Sequence, residues 1–183
     1  MCCIIYIIAN NIDTPGGDFL YKIYEYNKDG IGCVLSDNRC IKTDEFTVFL
    51  AWIKRNRKKQ EDCIIHFRNA TRGDRSFNSI QPFYNKETNL WFAHNGTIHH
   101  IHANETEGDS DNRTLFDVLI VPLIKHCGWD NRVVWEIIEA QIEKGRGIFM
   151  KDGKVKMIAG DPNYKDWIFK DGIYYSRKYE GLI

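Results

Sequence analysis

Residues 3–9 read Cys-Ile-Ile-Tyr-Ile-Ile-Ala. Nearly every position is apolar, β-branched and aromatic side chains dominate, and there is no polar alternation. That pattern predicts a strand buried on both faces, beginning almost at the first residue, and such a strand belongs inside a layered fold. Residues 19–26 alternate loosely and stop before Asn27-Lys28-Asp29-Gly30, a turn signal. With 31–35 as the returning strand, 19–35 reads as a hairpin. Thr43 or Asp44 can cap a helix in which Phe46, Phe49, Leu50 and Ile53 share a face and the basic run 54–59 closes the end. Strands are expected at 62–67 and 89–93. Residues 112–126 form an apolar helical stretch that Pro122 must kink or end, and 131–143 a second helix with Val134, Ile137, Ile138 and Ile142 inward. The tail reads as short strands at 147–150, 155–158, 167–169 and 173–176, separated by Lys-Asp-Gly and Asp-Pro-Asn turns. Strands outnumber helices, and the later helices are consecutive. An α+β layered domain therefore fits better than an alternating parallel fold.

Composition excludes several function classes. The chain has 183 residues, enough for a single domain spanning 1–183, with 43% hydrophobic and 13% aromatic residues, so global disorder is ruled out. Lys+Arg and Asp+Glu both number 25, and a net charge of zero argues against a nucleic-acid partner. No apolar run reaches the roughly 18–20 residues of a membrane span, and the apolar N-terminus has no basic region of a signal peptide. Cysteines at 2, 3, 33, 40, 63 and 127 form no Cys-x-x-Cys pair. Reduced thiols in a cytoplasm are expected, with neither a metal nor a cofactor. His99-His100-x-His102 reads as decoration of a loop rather than a metal site. The basic 55–59 run reads as a solvated helix end, and Trp91, Trp129, Trp135 and Trp167 as core or rim aromatics.

Four segments can carry chemistry. Cys2 follows Met1, and aminopeptidase removal of Met1 would leave a thiol and a free α-amine on one residue. The amine, with a pKa of about 7.7–8.0, is a built-in base for the thiol. Its alternative is a buried strand cysteine. His66-Phe67-Arg68-Asn69-Ala70-Thr71-Arg72-Gly73 leads from a strand into a loop, where an Arg can grip a carboxylate with parallel hydrogen bonds or pair with a surface Asp. Phe92-Ala93-His94-Asn95-Gly96-Thr97 ends in Asn-Gly, either a plain turn or two neutral donors aimed at one oxyanion. Asp109-Ser110-Asp111-Asn112 precedes an apolar helix as a cap, and Asp111 can instead face a ligand ammonium.

In this order, Cys2, Arg68-Asn69-Ala70-Thr71-Arg72-Gly73, His94-Asn95-Gly96 and Ser110-Asp111-Asn112 resemble the class II glutamine amidotransferase domain, an N-terminal-nucleophile hydrolase. Asp29-Gly30-Ile31-Gly32 is similar to that family's Asp-Gly-x-Gly segment. The resemblance spans about residues 2–120. It implies a four-layer αββα sandwich of two mainly antiparallel sheets. It also implies Cys2 as nucleophile, Asn95 and Gly96 as oxyanion hole, Arg68 on the α-carboxylate of glutamine and Asp111 on its α-ammonium. Thr71 and Gly73 would shape the loop around Arg68, and His94 would stand with the substrate-binding set. The sequence departs from the family at Cys3, where a Gly is common, and at Tyr26-Asn27, where many members carry Arg-Gly. No synthase domain follows, so the resemblance implies a glutaminase subunit that delivers ammonia to a separate ammonia-accepting synthase. Two alternatives are a non-catalytic binding or regulatory relative and a hydrolase of another γ-glutamyl amide.

Overall fold

A computed structural model describes residues 2–10, 15–70, 77–101, 110–159 and 167–179. The opening segment forms β1 (Cys3–Ile7), buried throughout as its composition requires. Successive side chains alternate between faces, so Cys3, Ile5 and Ile7 enter one core cluster and Ile4 and Tyr6 another. β1 lies inside a six-stranded sheet of order β3-β2-β4-β1-β10-β9. The partners are β2 (Ile31–Leu35), β3 (Cys40–Thr43), β4 (Cys63–Phe67), β9 (Ile168–Lys170) and β10 (Ile173–Tyr175). A second sheet runs β5-β6-β7-β8, from β5 (Phe83–Asn85), β6 (Leu90–Asn95), β7 (Arg146–Lys151) and β8 (Lys154–Ala159). All pairings are antiparallel.

Helices α1 (Gly17–Glu25) and α2 (Phe46–Asn56) cover the outer face of the first sheet through Leu20, Ile23, Phe46, Phe49 and Ile53. Helices α3 (Asp111–Leu115), α4 (Val121–Cys127) and α5 (Arg132–Gln141) cover the second through Leu115, Phe116, Ile120, Ile124, Val134, Trp135 and Ile138. Ile4, Tyr6, Val34 and Ile64 meet Trp91, Ala93, Ile148 and Met150 between the sheets. The fold is a four-layer αββα sandwich. In the first outer layer the Cys33 and Cys63 sulfurs lie 3.5 Å apart, and all six cysteines are free.

Several sequence expectations need correction. Residues 19–26 are helical, not the first strand of a hairpin. The loose alternation conceals a face of Phe19, Leu20, Ile23 and Tyr24, which pack on the sheet at helical spacing. Strands β3 and β5 were not anticipated, being four and three residues long. Helix α2 starts after Glu45, whose side chain makes no capping bond; Thr43 Oγ1 instead accepts from Glu45 N in the turn before it. Ile137 is 38% exposed, and Trp135 takes the inward position expected of it. The break in 112–126 precedes Pro122: residues 116–120 form a π-helical turn, in which Val121 N donates to Phe116 O. A ring that clashes with the carbonyl one turn back is relieved by such widening. The tail strands divide between sheets, β7 and β8 in one and β9 and β10 in the other.

Gly32, on β2, packs directly against the segment that leads into β5. A Cβ there would sit 1.8 Å from the Gln81 carbonyl oxygen. Gly32→Ala therefore forces the 79–82 segment away, at about 1–3 kcal/mol or more, which a thermal melt registers as a Tm lower by several degrees. The control is Gly16→Ala, with nothing within 4 Å of the new atom; its cost is at most about 1 kcal/mol.

His66, on β4, is fully buried, and neither ring nitrogen has a hydrogen-bond partner of good geometry among the described residues. Burial, reinforced by the neighbouring Arg68 charge, pushes its pKa down to about 3. An unfolded imidazole titrates near about 6.5, so below that pH the unfolded state binds the extra proton and stability falls with pH until the folded value is reached. Denaturant titrations from about pH 7 downward are expected to show a loss approaching 1.4 kcal/mol per pH unit from this group. His66→Leu flattens the slope by that amount; an unchanged slope refutes the account.

Candidate active site

The β1–β4 register places Cys3 opposite Phe67, so Cys2 and Arg68 leave the sheet side by side. Cys2 is half-buried. Its thiol points at the Asn69 carbonyl at 3.5 Å, and its sulfur accepts the Asn69 N–H at 3.4 Å. Burial pushes the thiol pKa up, while the Asn69 contact and the Arg68 charge oppose that rise. The 68–70 segment is tied to the turn after α1. Arg68 N donates to Gly30 O (2.8 Å), Asn69 Nδ2 to Tyr26 O (2.9 Å) and Ala70 N to Asp29 Oδ2 (2.8 Å). The Asp29-Gly30 pair therefore braces the loop that carries Arg68.

A cleft forms where this loop faces the end of β6 and the start of α3. It is lined by Cys2, Arg68, Gly96 and Asp111, four of the expected site residues from four separate stretches of chain. Arg68 and Asp111 are each 4% exposed. Ser110 caps α3, its Oγ accepting from Arg113 N, and this presents Asp111 in the first turn. The Asp111 carboxylate accepts from Ile98 N (2.7 Å) and Asn112 N (2.9 Å), which fixes its plane.

Asn95 and His94 lie behind the cleft rather than along it. Alternation on β6 turns Asn95 toward the first sheet, where its Nδ2 donates to Ser176 Oγ at 2.9 Å and its Oδ1 is buried without a partner. Ser176 Oγ in turn accepts from Ile4 N at 2.8 Å. His94 faces the helices, with Nδ1 2.6 Å from Asn112 Oδ1. Its ring edge fills the space a Cβ would need at Gly96 and Gly145. Burial pushes its pKa down, so the ring is a neutral spacer at neutral pH. Thr71 and Gly73 lie outside the described residues.

The cleft also holds Asn69, Ala70, Ser79, Gln81, Ser110 and Asn112. The 78–81 stretch, Asn-Ser-Ile-Gln, has no motif spacing that would have marked it. Beyond the turn at Gly96, Glu143 binds His99 Nδ1 (2.9 Å) and His100 Nδ1 (2.8 Å), and the His99 contact leads the causes that hold its carboxyl down at about 2. A groove at the start of α5, lined by Trp129, Asp130, Trp135 and Lys156 among others, contains no nucleophile.

No protein-family model matches the sequence, and no curated protein matches it. Among solved structures, the chain is similar to the glutamine phosphoribosylpyrophosphate amidotransferase from B. subtilis complexed with ADP and GMP, with a TM-score of 0.57 and 18% identity. The match covers 95% of this chain and 41% of that one, so the chain spans less than half of that enzyme's length. At this identity the likeness is one of fold: the αββα sandwich described here is shared with a glutamine amidotransferase.

Proposed function

We propose that the chain is a glutamine amidotransferase subunit that hydrolyses the side-chain amide of glutamine. The observation that carries this reading is the single cleft in which Cys2, Arg68, Gly96 and Asp111 converge. With Met1 removed, Cys2 bears the α-amine that accepts the thiol proton, directly or through one water. Sulfur adds to the amide carbon, and the developing oxyanion is met by the Gly96 N–H and, once its amide leaves Ser176, by Asn95. Collapse expels ammonia, which takes the proton held by the α-amine. Water then cleaves the thioester to give glutamate and the free thiol. Arg68 holds the α-carboxylate and Asp111 the α-ammonium. Thr71 and Gly73 are assigned with Arg68 to the substrate-binding set by the resemblance alone, and His94 holds the Asn95-Gly96 turn in place from behind.

The ammonia passes to an acceptor on a separate synthase docked over the cleft, because free ammonia protonates and diffuses away at neutral pH. Free thiols at all six cysteines support a reducing, cytoplasmic setting. Among the described residues, no helix is long and apolar enough to cross a membrane.

Cys2→Ala is expected to abolish ammonia release from glutamine while the melting temperature stays within a few degrees. Cys3, fully buried under the helices with its thiol pushed up to about 12 by burial, is out of reach of substrate; Cys3→Ala keeps most of the activity. Mass spectrometry of the active protein must show loss of Met1. The reverse pattern, a dead Cys3→Ala and an active Cys2→Ala, refutes the assignment.

Arg68→Lys and Asp111→Asn remove contacts present in both ground and transition states, so their main effect falls on KM. Loss of one side of a buried charge pair costs about 2–5 kcal/mol, at least about a 30-fold rise in KM. Steady-state kinetics with glutamine measures it, and unchanged KM in both variants rules out this binding mode.

A further inference from the structure

Gln81 lies in the cleft with Cys2, only 3% exposed, and has no role in the reading above. Its orientation is fixed by chemistry. The His94 backbone N–H, which can only donate, meets its side chain at 2.6 Å, so the atom facing His94 is Oε1. The NH2 is then the other end. It has no hydrogen-bond partner among the described residues, and it is not sealed inside the protein, so it opens on the cleft.

Gly96, which follows the end of β6 two residues beyond His94, lines the same cleft as Gln81 and Cys2. The Gln81 backbone is clamped as well, because its carbonyl packs where Gly32 has no Cβ. A neutral donor whose side-chain oxygen is pinned by the His94 N–H and whose backbone packs against Gly32 is preorganised for charge that develops during reaction. Asn95, by contrast, joins Gln81 and Gly96 only after its NH2 leaves Ser176, which holds it at 2.9 Å.

We propose that Gln81 is a catalytic residue whose Nε2–H donates, beside the Gly96 N–H, to the amide oxygen of the substrate as the Cys2 sulfur adds to the carbonyl carbon. This rests on the amide-hydrolase reading of the cleft. A role on the α-carboxylate is disfavoured because Arg68 supplies a charged fork for that group.

The test is steady-state kinetics of Gln81→Glu and Gln81→Leu with glutamine. Gln81→Glu keeps the oxygen that accepts from His94 N–H and replaces only the donor; Gln81→Leu removes both ends. Both are expected to lower kcat about 10²–10³-fold, with KM within about threefold. In Gln81→Leu, which adds no charge beside Cys2, the rate of Cys2 alkylation by iodoacetamide, which needs no oxyanion donor, stays close to wild type. A kcat within threefold of wild type in both variants, or a change confined to KM, overturns the role of Gln81 while leaving the amidase reading intact. A wild-type chain free of Met1 that releases no ammonia from glutamine overturns both.

Discussion

The antiparallel register between β1 and β4 is the constraint on which the site depends. With Cys3 opposite Phe67 and Ile7 opposite Cys63, the residue before β1 and the residues after β4 emerge together at one end of the sheet. Cys2 thus meets Arg68 and Asn69 without any loop having to bring them together. A slip of one residue would turn every β1 side chain to the opposite face, placing Ile4 under the helices and Cys3 between the sheets. The register is held by burial on both sides: Ile5 and Ile65 are buried on the helix side, Ile4 and Ile64 between the sheets. The same hydrophobic pattern that drives the fold therefore positions Cys2.

Burial sets the chemistry available there. Arg68 and Asp111 bring opposite charges into a cleft that admits little water. In such surroundings electrostatic contacts are stronger than in bulk water. The same burial raises the Cys2 thiol, so in the proposed reaction it needs a base close at hand, and an α-amine on the same residue is as close as chemistry allows. The ring of His94, kept neutral by burial, adds no competing charge. It serves as a flat spacer against Gly96 and Gly145.

The sequence was most legible where side-chain pattern and burial coincide. The unbroken apolar run of β1 and the single apolar face of α2 read directly as the elements they form. It was least legible at 19–26, where Phe19, Tyr21 and Ile23 fall on alternate positions as in a strand although Leu20 and Ile23 face the core at helical spacing. Strands as short as β5 carry too few residues for a period to show. Cys2, Arg68, Gly96 and Asp111 were legible as short ordered motifs. The engagement of Asn95 with Ser176, 81 residues away, was not, because it arises from two strands meeting across the sandwich. Gln81 was hidden for a similar reason: its orientation comes from one backbone N–H thirteen residues downstream.

The pairing of β1 with β10 also constrains how the molecule is made. Ile5 lies opposite Tyr175, and Ile4 N donates to a serine 172 positions further along the chain. One edge of β1 therefore stays unsatisfied until the 172 positions that separate the two partners have been synthesised. Contacts of such long sequence separation close slowly, because loop entropy must be overcome before the pairing rewards it. Meanwhile an apolar strand with an open edge invites association with other chains. Cys2, at the start of the strand, is thus anchored by a segment far along the chain, and completion of the β1 edge waits for that segment.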